Sequence, residues 1–166
     1  KAFALAVRNH RGVLISPTAS GKSLIIYLIT RYYNARTLII VPTTSLVSQL
    51  ATDFADYGYE SDRFVHRIYA GQDKHTDKQI TISTWQSIYE LPKEYFKSFE
   101  VIIGDEAHQF KAQSLTSIMT KATDTQYRFG TTGTLDDSQV NELVLRGLFG
   151  DVHKIVETAE LIKRGN

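Results

Sequence analysis

Short runs that are apolar on nearly every residue alternate along this chain with longer amphipathic stretches. Val13-Leu14-Ile15, Thr37 to Val41, Ile80 to Ser83, Val101-Ile102-Ile103 and Tyr127 to Gly130 are the runs. Runs that are apolar on nearly every residue predict strands buried on both faces. Lys22 to Asn34 and Thr44 to Tyr57 read as helices; Leu46, Leu50 and Phe54 recur at helical spacing, as do Leu115, Ile118 and Met119. Strand-helix alternation predicts an α/β fold: a mostly parallel sheet with helices on both faces. A strand over Phe64 to Ala70 and a short helix after Pro92 complete the pattern.

Composition narrows the function classes. The chain has 166 residues, 42% hydrophobic and 22% charged, which suits one domain with a sizeable core. It has no cysteine, which removes disulfide scaffolds and thiolate metal sites and suits a reducing compartment. The net charge of +1 gives no global basic footprint, so any nucleic-acid contact needs a local face. The longest apolar candidate, Leu24 to Ile29, is far short of a membrane span, and no membrane partner is expected. The first residue is Lys1, so the chain is expected to be a fragment, with residues 1–166 forming a single lobe.

Between the first strand and the first helix lies Pro17-Thr18-Ala19-Ser20-Gly21-Lys22-Ser23. A loop in that position can curl so that several N–H groups face one anion, with the helix adding its positive end. Gly21 lets the backbone approach phosphate without a Cβ in the way. Lys22 supplies a flexible point charge for the outer phosphates, and the Ser23 hydroxyl is a ligand for Mg²⁺. Ser16 stands where G-x-x-x-x-G-K-[ST] has its first glycine. A chance Gly-Lys-Ser in a plain strand-turn-helix is the bland alternative.

Asp105 and Glu106 close the Val101 run and are followed by Ala107-His108. In an open parallel sheet, ligands bind at the carboxyl ends of the strands, the edge that also carries the phosphate loop. Asp105 can neutralise the metal charge, while Glu106 orients the attacking water or accepts its proton. His108 alone would read as a surface histidine; within Asp-Glu-Ala-His it joins the catalytic set. Both boxes together point to ATP with Mg²⁺, and to ATP hydrolysis.

On these residues the chain resembles superfamily two helicases of the DEAH-box kind, most nearly the phage UvsW-type DNA helicases and their XPB-like relatives. Ile39 to Leu46 resembles the motif that contacts the nucleic-acid backbone, Ser83-Thr84-Trp85-Gln86 a second strand-contacting segment, and Gly130 to Leu135 the motif coupling hydrolysis to movement. The resemblance implies a RecA-like P-loop NTPase lobe. It implies that Thr132 and Thr134 respond to the acidic box, although Thr-Gly-Thr stands where Ser-Ala-Thr is common. It also implies an adenine-reading glutamine upstream of Lys1 and a second RecA-like lobe of the same chain carrying an arginine finger. Without that arginine the isolated lobe is expected to hydrolyse ATP weakly, since such a group can contribute about 10³ to 10⁵ in rate. DNA, single-stranded or branched, is favoured over RNA through the resemblance alone, as is the cytoplasm of a phage-infected or bacterial cell, or a nucleus if the source is eukaryotic.

The expected strand-binding residues are Pro42, Thr43, Gly71, Thr84 and Gln86. Threonine hydroxyls can bond phosphate oxygens, and Gly71 permits close backbone approach. Helix capping is the competing role for the threonines, and for Gln86 the two readings balance. Trp85 could stack a base but is better read as core. Rival functions are a restriction-type DNA translocase, an RNA-remodelling ATPase, a non-catalytic nucleotide-dependent binding module and a small-molecule kinase.

Overall fold

The computed structural model describes residues 11–15, 19–68, 73–106, 109–110, 112–123, 125–132, 147–149 and 152–154. The strands are β1 (Arg11–Ile15), β2 (Thr37–Val41), β3 (Val65–Ile68), β4 (Ile80–Thr84), β5 (Val101–Asp105), β6 (Tyr127–Thr132) and β7 (Val152–Lys154). The helices are α1 (Ala19–Tyr33), α2 (Thr44–Asp56), α3 (Ser61–Phe64), α4 (Trp85–Ile88), α5 (Lys93–Phe96) and α6 (Ala112–Lys121). The strands form one seven-stranded sheet in the order β3-β4-β2-β5-β6-β1-β7. Every pairing in it is parallel.

The apolar runs lie where two-sided burial demands them. In β2, Leu38 and Ile40 join a cluster with Phe96, Phe110, Leu115 and Ile118 on one face of the sheet. Ile39 and Val41 join the opposite cluster with Ile26, Ile29, Val47, Leu50 and Phe54. Neighbouring residues of a strand point to opposite faces, so an unbroken apolar run can serve both layers. α1 and α2 cover one face, and α4, α5 and α6 the other. Each fully buried Ile, Leu or Phe contributes about 1.5–3 kcal/mol from area alone.

Helix ends follow local chemistry. The Thr43 side chain caps α2, accepting from the Leu46 N–H at 3.3 Å. α1 ends at Tyr33, and Asn34 after it has a φ of 47°, the left-handed stop that asparagine tolerates. Gly58, with φ of 95°, supplies the same reversal after α2.

One expectation changes, one reading is settled as favoured, and one strand is new. The strand expected from Phe64 is β3, starting at Val65, because Phe64 closes the short helix α3; Ala70 lies outside the described residues. Trp85 is core, 9% exposed and packed near Phe110, which removes base stacking from its roles. β7 has no counterpart in the sequence pattern: three residues are too few to show a period.

Candidate nucleotide and catalytic site

The sheet register sets the spacing of the site. Ile15, the last residue of β1, lies beside Thr132 of β6, and Thr131 lies beside Asp105 of β5. The ends of β1 and β5 are thus two strand spacings apart, about 9–10 Å. Lys22, in the first turn of α1, spans this gap. Its Nζ is 3.6 Å from Asp105 Oδ1 and in contact with Glu106 Oε1. All three side chains are largely buried, at 13%, 8% and 14% exposure, so water screens their charges poorly.

Two further features hold the acids. The Thr131 hydroxyl donates to Asp105 Oδ1 at 2.8 Å. The Glu106 N–H donates to the Thr131 carbonyl at 2.7 Å, carrying the β5–β6 ladder one residue past the strand. Glu106 itself has φ of 52°. A non-glycine residue there carries strain, on the order of 1–3 kcal/mol, which the surroundings must hold in place. The Gln109 N–H closes the turn onto the Glu106 carbonyl at 2.8 Å.

The Ser23 hydroxyl donates to Asp53 Oδ2 of α2 at 2.7 Å. Asp53 was not foreseen, since nothing in its local sequence sets it apart from an ordinary polar helix position. Thr131 was also missed: the motif resemblance directed attention to Thr132 and Thr134, and only the β5–β6 register shows that Thr131 faces Asp105. Thr132 is buried at the end of β6. Gly130, in the same segment, has a packing reason: a Cβ there would meet the Phe149 ring at 3.2 Å.

Of the expected strand-contacting residues, Pro42, Thr43, Thr84 and Gln86 gather at the same sheet edge, over β2 and β4. Val41 and Thr84 are register partners, and the Gln86 amide donates to the Pro42 carbonyl at 3.3 Å. Pro42 is buried, while Thr43 and Gln86 are exposed. The Thr84 and Ser87 hydroxyls bond each other at 2.8 Å. Thr43 caps α2 but keeps its hydroxyl proton for another acceptor. Pro17, Thr18, Gly71, His108 and Thr134 lie outside the described residues, as do the side chains of Ala19 and Ser20.

The opposite, amino-end edge also carries a cavity, of about 540 Å³, between residues 74–77 and α5. Arg36 and Tyr95 line it. Arg36 donates there to the Thr76 and Lys78 carbonyls, and the Tyr95 hydroxyl to Lys74 O at 2.9 Å. Burial pushes the Tyr95 phenol up to about 12, with Arg36 opposing and Asp73 adding to the shift.

The family described as type III restriction enzyme, res subunit, matches residues 2–137. The chain belongs to that family. Among its relatives, the chain is 37% identical over 165 residues to the ATP-dependent DNA helicase UvsW of Enterobacteria phage T4, covering 95% of this chain and 33% of that protein. It is 31% identical over 128 residues to the DNA 3'-5' translocase XPB2 of Sulfurisphaera tokodaii, covering 77% of this chain and 28% of that one. The crystal structure of T4 UvsW superposes with a TM-score of 0.87 at 36% identity, over 96% of this chain and 34% of the other. This res-subunit-family chain is thus a RecA-like lobe of the superfamily two helicase kind, related to the UvsW and XPB types. It spans about a third of the length of the curated relatives it matches.

Proposed function

We propose that this chain is the ATP-binding and hydrolysing lobe of a DNA helicase or translocase, with residues 1–166 acting as one lobe of a longer protein. The observation that carries the reading is Lys22 seated between Asp105 and Glu106 at the carboxyl edge of a parallel sheet. A lysine and two acids brought from residues far apart in sequence are what a triphosphate with its counter-cation requires.

The donor set fits Mg²⁺, which is commonly held by one or two protein oxygens together with substrate phosphates. Ser23 and Asp105 would hold it, and it would neutralise charge on the transferred phosphoryl group. The remaining chemistry belongs to this chain. The single Lys22 ammonium is shared between the two acids. Arriving phosphates compete for its ammonium, and the exchange frees the Glu106 carboxylate to orient water and take its proton. Asp105 is held by Thr131, so a change at the acidic box reaches β6 through one hydrogen bond. Thr132 and Thr134 extend that route, and His108 and the loop from Pro17 to Gly21 complete the nucleotide cradle.

Pro42, Thr43, Gly71, Thr84 and Gln86 form the strand-contacting face, with Thr43 exposed beside the Gln86–Pro42 bond. Contacts of hydroxyls and backbone N–H groups read phosphate, not base. The names of the relatives favour DNA over RNA, and single-stranded or branched DNA is the form proposed. A second RecA-like lobe supplies the closing arginine, and alternation between two affinities drives movement. The cytoplasm of a bacterial or phage-infected cell is the proposed location. Among the described residues no helix is long and apolar enough to cross a membrane.

The test is ATP turnover by the full-length protein with single-stranded DNA, branched DNA and RNA at several salt concentrations. DNA stimulation should fall steeply with salt, as phosphate contacts require. Glu106→Gln should lower turnover by about 10² to 10⁴ while ATP still binds. Unchanged turnover would remove Glu106 from its role.

A further inference from the structure

The Ser23 hydroxyl is the proposed cation ligand of the phosphate loop, yet its hydrogen bond runs to α2, a helix outside that loop. Ser23 Oγ donates to Asp53 Oδ2 at 2.7 Å, and the other carboxylate oxygen, Oδ1, accepts from Gln49 Nε2 at 2.9 Å. Ser23 is 9% exposed. Among the described residues no lysine or arginine pairs with Asp53, so its charge is held by neutral donors alone. Its position is costly: it lies in the last turn of a 13-residue helix with no basic residue there, where the helix dipole disfavours an anion. Its field reaches Tyr57, whose phenol is raised first by burial and then by Asp53 and Asp56.

We propose that Asp53 is a positioning residue for the metal of the nucleotide site, acting through Ser23. A serine hydroxyl has one proton and two lone pairs. Giving the proton to Asp53 settles the rotor and leaves both lone pairs for a cation. The carboxylate also makes Oγ more basic, as outer carboxylates do for histidines that bind metals. Gln49 keeps Asp53 turned toward α1. The same bond could instead be a plain tie between α1 and α2, and the two roles differ in what an isostere does. Asparagine at this position still accepts from Ser23 and fills the same space, so a tie would survive Asp53→Asn, whereas the charge and basicity would not.

The inference rests on the nucleotide site proposed above. The experiment is calorimetric titration of ADP into the full-length protein, with Mg²⁺ and with EDTA, for wild type and Asp53→Asn. The ratio of the two affinities is the readout. Asp53→Asn should lower that ratio by about tenfold while leaving the metal-free affinity within about twofold of wild type. An unchanged ratio, or an equal loss with and without metal, would overturn the role of Asp53. If Asp53→Asn does not fold, Gln49→Met carries the same test, with a smaller fall in the same ratio expected and an unchanged ratio counting against it. If wild-type ADP affinity does not respond to Mg²⁺ at all, the nucleotide site itself is misread; a normal wild-type response with an unaltered variant sinks only Asp53.

Discussion

The two edges of the one sheet use buried positive charge in opposite ways. At the amino end, Arg128 donates to the carbonyls of Thr125, Met119 and Ala122. Arg36 likewise donates to those of Thr76 and Lys78. These acceptors are fixed backbone dipoles that cannot leave, so the cations act as rivets between segments. Burial, and then Arg11, pulls the Arg128 guanidinium down from its ordinary value, a cost borne for that bracing. At the carboxyl end Lys22 faces carboxylates instead. A phosphate bears the same sign of charge as those partners and would compete with them for the ammonium. A buried charge whose partner is exchangeable is therefore available for function, and one satisfied by backbone is not.

The largest expected effect tests the exchangeable side. Lys22→Ala in the full-length protein should lower ATP turnover by at least about a hundredfold, since an aligned charge on the reacting group is lost. Turnover within a few-fold of wild type would erase the contrast between the edges. The riveted side should show the reverse pattern. Arg128→Met strands three carbonyls and should cost on the order of 3 kcal/mol in urea unfolding, with ADP affinity unchanged. A drop in affinity instead of stability would show that the amino edge is coupled to the site.

A smaller effect isolates the strain at Glu106. Alanine and glycine both remove its carboxylate, and at an ordinary position alanine is no worse. With φ at 52°, Glu106→Gly should be more stable than Glu106→Ala by about 1 kcal/mol. Equal midpoints would mean that the left-handed turn costs nothing.

The smallest effect concerns Tyr95. Its phenol titrates at about 12 in the fold against 10.0 ordinarily. Between those values the unfolded chain releases the proton while the folded one keeps it, so this stabilisation is whole below pH 10 and lost as pH rises through 12. Tyr33 adds to the same decline for the same reason, burial first. Tyr95→Phe should flatten part of the alkaline slope and cost about 1 kcal/mol at neutral pH through the lost bond to Lys74 O. An unaltered slope would locate the decline elsewhere.

Much was legible from the order of residues alone. The short runs became β1, β2, β4, β5 and β6, because brief apolar-rich segments set between amphipathic stretches fit strands buried on both faces. Gly21-Lys22-Ser23 and Asp105-Glu106 stood out as local strings, whereas the capping of α2 by Thr43 was only the competing reading of that residue. Strand order, the three-residue β7 and the partners Thr131 and Asp53 were not legible. Local patterns record what each segment must bury. Which segments then meet is set by the parallel register and by the packing of α1 against α2, which bring Thr131 to Asp105 across 26 positions of chain and Ser23 to Asp53 across 30.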